Sequence, residues 1–140
     1  MTRLRQNEAG IWAMLNTHKP NGVTAHRIEA RNPPGISDVF WTEYDHNRGG
    51  TSGWIELKSQ VTVIRKEQRI FLQSLRRDGI KAVILAEYGY NIYIVDPMKV
   101  GLDLKMDFTS GHQILWKYED QGQLSVRDKW GHTWNAVRRL

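Results

Sequence analysis

The chain has 140 residues, 20 Lys plus Arg against 15 Asp plus Glu, a formal net charge of +5 and no cysteine. That is the length of one domain, and it buries about 68–70% of the unfolded surface, enough to fold without covalent staples. The missing cysteines exclude disulfides, Cys-ligated zinc, iron–sulfur clusters and thiol catalysis, and fit a reducing, cytoplasmic setting.

No apolar run approaches the roughly 20 residues of a membrane span, and MTRLRQNEAG lacks the apolar stretch of a secretory signal. A soluble intracellular domain without membrane association is therefore expected. In chain order, residues 3–16 predict a helix, because Leu4, Ile11, Trp12 and Leu15 recur at helical spacing. Lys19-Pro20-Asn21-Gly22 then stops it with turn chemistry. Residues 23–30 predict a first strand. Arg31-Asn32-Pro33-Pro34-Gly35 breaks it, since its prolines restrict the backbone and remove N–H donors.

Residues 38–42 and 54–58 predict two strands rich in β-branched and aromatic side chains. The polar, Gly-rich stretch 43–53 between them reads as a long hairpin loop. Residues 66–78 predict a second helix, with Phe71, Leu72 and Leu75 as its apolar stripe and Gly79 at its C-terminal stop. Residues 82–87 and 91–95 predict two apolar strands joined by Tyr88-Gly89-Tyr90. The order α-β-β-β-α-β-β predicts an α/β fold, a mixed sheet flanked by helices. One domain, 1–140, is expected, with its core over about 4–95. In the extension 97–140, Trp116, Tyr118, Trp130 and Trp134 lie among Lys117, Arg127, Lys129, Arg138 and Arg139. A short hairpin or irregular packing, then a terminal helix, is expected there.

The charge is unevenly distributed. Residues 1–31 carry a net +3, residues 32–57 a net −3, and residues 58–81 a net +5. An acidic segment between basic ones suits a protein that holds a polyanion against a cation-binding carboxylate cluster. A solvated surface of mixed charge accounts for the same pattern.

The acidic segment contains the most suggestive residues. Side chains alternate along a strand, so Glu56 and Lys58 share one face while Ile55 and Leu57 take the other. With Ile55 and Leu57 in the core, the acid and the amine are expected on an accessible face. Antiparallel pairing across the 43–53 loop brings Asp38 near Glu56. Two carboxylates in one place repel unless a cation lies between them, and oxygen ligands suit Mg²⁺ or Mn²⁺. By itself Glu-x-Lys is a common decoration of an exposed strand. On the first helix, Glu8 falls on the apolar stripe with Leu4, Ile11 and Trp12, where unpaired charge is rarely tolerated. On the second, Gln68 precedes Phe71, Leu72 and Leu75 on the inward face. Together they predict a polar pocket between helices and sheet.

The series Pro34-Gly35-Ile36-Ser37-Asp38-Val39, Gly53-Trp54-Ile55-Glu56-Leu57-Lys58 and Glu67-Gln68-Arg69-Ile70-Phe71-Leu72, with Gly79, resembles the PD-(D/E)xK nucleases. Within them it is most similar to the small VRR-NUC and Holliday-junction-resolvase-like enzymes, many of them from phages. The resemblance spans roughly residues 4–95. It implies a restriction-endonuclease-like fold and a Mg²⁺-dependent endonuclease, with Mn²⁺ as substitute, acting on branched DNA in recombination as a homodimer. Asp38 and Glu56 correspond to the metal-binding acids, the Leu57 carbonyl to an added ligand, and Lys58 to the residue that orients the attacking water. Gln68 corresponds to the helix glutamine that supports that lysine, and Glu8 to the first-helix glutamate of resolvase-like members. Ser37 replaces the motif's proline, and the Asp38–Glu56 separation is long for the family. Arg48, Arg65, Lys66, Arg69, Arg76 and Arg77 are the expected phosphate contacts, against the alternative of a solvated basic surface.

Other signals are weaker. Asp45-His46-Asn47-Arg48 is similar to the Asp-His core of HNH nucleases, but the next histidine is His112. The five histidines show no metal-ligand spacing, and the glycines of 48–53 lack the Gly-Lys-Ser/Thr ending of a P-loop. Two rivals to an enzyme stand: a non-catalytic nucleic-acid-binding module with a nuclease-like fold, and a phage-type inhibitor that grips a host protein through the aromatic tail.

Overall fold

The computed structural model describes residues 8–28, 38–45, 49–89, 91–108, 114–117 and 137. Six strands form one sheet in chain order: β1 Val23–Arg27, β2 Val39–Asp45, β3 Gly49–Ser59, β4 Lys81–Tyr88, β5 Asn91–Val95 and β6 Ile114–Lys117. Every neighbouring pair is antiparallel except β3–β4, which is parallel. A parallel pair needs a crossover, and helix α2, Lys66–Arg77, supplies it. The result is the expected mixed α/β sheet, with strand β6 added beyond the predicted order.

Both sheet faces are covered over the central strands. Helix α1, Glu8–His18, lays Ile11 and Leu15 against Val39, Trp41, Ile55, Leu57, Val83 and Leu85. Val137 joins this cluster. Helix α2 covers the other face, where Leu72 meets Ala82, Ile84, Ala86, Tyr93 and Val95. The strict alternation of β3 and β4 explains the division. Odd-numbered residues feed one cluster and even-numbered residues the other.

Three sequence expectations change. The first helix runs on to His18, while residues 3–7 lie outside the described residues. Strand β1 ends at Arg27 rather than residue 30. The 43–53 segment is not a loop: β2 continues to Asp45 and β3 begins at Gly49, paired from Val39↔Ile55 to Asp45↔Gly49. The glycines that look like loop signals lie within the ladder. Gly53 stands opposite Trp41, whose fully buried indole occupies the space a Cβ needs, 2.8 Å from its ideal position. Gly53→Ala should therefore cost about 1–3 kcal/mol through overpacking. Thermal or urea denaturation measures this, and an unchanged midpoint would show that the indole has room to yield.

Candidate functional site

Strand β3 places the Glu-x-Lys pair on the face that α2 covers. Continuing the β2–β3 register one step past Val39↔Ile55 sets Asp38 beside Glu56. On the other flank, Glu56 pairs with Ile84 and Lys58 with Ala86 of β4. Glu56 is 1% exposed and Lys58 is half-buried. The expectation of an accessible Glu56 is thus corrected. Its face looks toward α2, and of the Glu-x-Lys pair the lysine is the one that reaches solvent.

Asp38 is anchored by the end of the sheet. Its Oδ2 accepts the Leu57 backbone N–H at 2.7 Å, and its carbonyl accepts the Ile28 N–H at 2.6 Å. The carboxylate therefore takes a main-chain donor at the end of the β2–β3 ladder, which fixes it next to the second acid. Glu56 is less well supplied. Its Oε1 is buried and has no hydrogen-bond partner. Burial, then the facing Asp38 carboxyl, pushes the Glu56 carboxyl up to about 10, against a smaller lowering by Lys58. An acid in this setting holds a proton at neutral pH unless another cation replaces it.

Glu8, at the start of α1, lies in the field of the same groups. Its carboxyl is raised first by burial and next by Asp38, and lowered by Lys58, Arg27 and Arg65. Glu8, Asp38, Glu56 and Lys58 thus belong to one electrostatic cluster. Even so, among the described residues no three His, Asp or Glu side chains converge as a set able to hold an ion. The carboxylate donors in place are the pair Asp38 and Glu56. The orphaned Glu56 Oε1 and the carboxyl facing it fit a hard divalent cation, which takes only one or two carboxylates and completes its shell with water.

Gln68 is buried on the first turn of α2, as its spacing predicts. Its Oε1 accepts the Arg65 backbone N–H at 2.9 Å, so this oxygen caps the helix. The basic residues divide. Arg65 and Lys66 are exposed at the helix start, and Arg65 acts on the Glu8 carboxyl. Arg69 Nε donates to the Val100 carbonyl at 2.9 Å, and Arg76 pairs with Asp96 at 2.8 Å. Both are engaged within the protein through these atoms. Arg77, whose Nη2 reaches Gln73 Oε1 at 3.5 Å, stands at the far end of α2. Eleven residues of helix separate it from Lys66, about 16 Å. Arg48 lies outside the described residues.

The residue that sequence reasoning missed is Arg27. It ends β1 opposite Val39, next to Asp38, and acts on Glu8 across that corner. Only the β1–β2 register reveals this position, and the two prolines after β1 hide that register in the sequence.

No protein-family model and no curated protein matches the chain. Among solved structures it is similar to Hjc, a Holliday junction resolvase from the archaeal hyperthermophile Archaeoglobus fulgidus. The likeness has 15% sequence identity, a TM-score of 0.44, and covers 70% of this chain and 77% of that one. Among the described residues no helix is long and apolar enough to cross a membrane.

Proposed function

We propose that this protein is a metal-dependent endonuclease of the PD-(D/E)xK type that hydrolyses DNA, with branched or junction DNA as its substrate. The observation that carries the reading is the Asp38–Glu56 pair, with Glu56 Oε1 buried and unpartnered and Lys58 next on the same face. A divalent cation would satisfy the unpartnered Oε1 and remove the repulsion between the two carboxylates, whose burial is otherwise costly. Asp38 and Glu56 hold Mg²⁺ or Mn²⁺, the Leu57 carbonyl being a further candidate ligand. When bound, the ion supplies a Lewis acid and lowers the pKa of its water.

The other residues act around that centre. Lys58, on the solvent side of Glu56, orients the attacking water and offsets negative charge developing at phosphorus. Arg65, Lys66 and Arg27 line the approach and hold flanking phosphates. Gln68 keeps the start of α2, and with it Arg65, in place. Paired incision of a junction requires two such sites, so the proposal includes a symmetric dimer.

A panel of labelled four-way junction, flap, duplex and single-stranded DNA tests this reading. Cleavage is expected with Mg²⁺ or Mn²⁺, is expected to stop with EDTA, and should be faster on branched DNA than on duplex. Salt-sensitive binding with no turnover under either metal would instead identify a non-catalytic binding module.

A further inference from the structure

The face that α2 covers is not covered along its whole length. Continuing away from Asp38–Glu56, the same face carries His26, Phe40 and Trp54 in one row, then Thr24, Thr42 and Ser52, then Tyr44 opposite Gly50. Helix α2 reaches as far as Trp54, whose ring meets Phe71 edge-on at 5.6 Å and Phe40 at 4.9 Å. Beyond that aromatic row, among the described residues, the sheet is open. Thr24, Ser52 and His26 are exposed, and Tyr44 is 65% exposed. A shallow cavity of about 400 Å³ lies there, lined by Thr24, Thr42, Tyr44 and Ser52 with Gly22 and Gly50.

We propose that this open face of β1–β2–β3 binds single-stranded DNA continuous with the strand at the carboxylate pair. The inference rests on the nuclease reading for its direction, but its chemistry is local. Aromatic side chains standing on an open sheet face are a general means of stacking unpaired bases. The row of three hydroxyls supplies donors and acceptors for base edges or sugars. The side chains that this face presents around the cavity, Thr24, Thr42, Tyr44 and Ser52, carry no charge, so they suit bases and sugars rather than the phosphate backbone. A paired base offers no face for Tyr44 to stack on, which selects single strand over duplex.

The geometry joins the two regions. Ser52 is four residues from Glu56 along β3, about 13 Å, and Tyr44 is six residues from Asp38 along β2, about 20 Å. The intervening row of Phe40 and Trp54 bridges them without a break. A substrate with an unpaired segment, such as a flap or an opened junction, can therefore engage both at once.

Fluorescence anisotropy with labelled oligo-dT in EDTA reads this face without cleavage. Tyr44→Ala should weaken oligo-dT binding about tenfold, while Tyr44→Phe retains it and neither change alters affinity for blunt duplex. Because Tyr44 is largely exposed, both variants should fold, and a melt run beside each binding curve separates lost binding from lost folding. Equal affinity of wild type and Tyr44→Ala for oligo-dT, or no oligo-dT binding at all, overturns the inference and leaves the nuclease reading intact. Tyr44-dependent binding by a protein that never cuts DNA overturns the nuclease reading and leaves this one.

Discussion

Lys58→Ala is expected to lower the metal-dependent cleavage rate by about 10²–10⁴ while leaving DNA affinity within a few-fold. The size follows from position. Lys58 stands two residues beyond Glu56 on the same face of β3, half-buried beside Ala86, close enough to lower the Glu56 carboxyl. Its loss removes a cation at the reacting centre, and it also lets the Asp38–Glu56 pair hold its proton more tightly. The second effect weakens metal binding, and a Mn²⁺ titration separates the two. Recovery at high Mn²⁺ would mean that Lys58 acts through the metal site, whereas a rate loss that persists at saturation assigns it to the water or the phosphoryl group. Affinity should change little because Arg27, Arg65 and Lys66 remain. Equal cutting by wild type and Lys58→Ala would remove the basis for the proposed mechanism.

The parts of this arrangement that were legible in the sequence are those governed by periodicity. Alternation along 54–58 puts Glu56 and Lys58 together, and the stripe Phe71, Leu72, Leu75 orients α2 with Gln68 inward. What local pattern could not supply was depth and partnership. Glu56 looks accessible from its own strand, because the helix that buries it arrives by a crossover. The glycines of the β2–β3 hairpin look like a loop, because glycine normally weakens a strand. Here Gly53 is needed for a buried Trp41 ring on the neighbouring strand. The arginines of α2 are alike in sequence, yet Arg69 is tied to a carbonyl 31 residues away and Arg76 to an aspartate 20 residues away. Basic composition predicts affinity for polyanions but cannot distinguish the cations a fold has already used.

The metal-free protein should lose stability as pH rises from about 4.5 to about 10, and a divalent cation should reverse that loss. The sign follows from Glu56. Its carboxyl ionises near 4.5 when unfolded and near 10 when buried beside Asp38, so between those values the folded chain retains a proton that the unfolded chain has released. Stability is then fully present below the lower value and declines toward the upper one. A buried charge left without compensation costs about 3–5 kcal/mol, which sets the scale of the decline. On the proposed reading Mg²⁺ or Mn²⁺ would replace the proton, so its stabilisation should grow with pH and reach about 2.7 kcal/mol at 100 times its dissociation constant. Glu56→Gln has no proton to release. Its metal-free melting temperature should exceed wild type at pH 8, should vary less with pH and should not respond to the cation, while cleavage is lost. Thermal melts at pH 5 and pH 8, with EDTA and with Mn²⁺, measure the first three, and a cleavage assay measures the fourth. A wild type whose stability is indifferent to Mn²⁺ at pH 8 would exclude Asp38–Glu56 as the metal site, whatever the source of any cleavage observed.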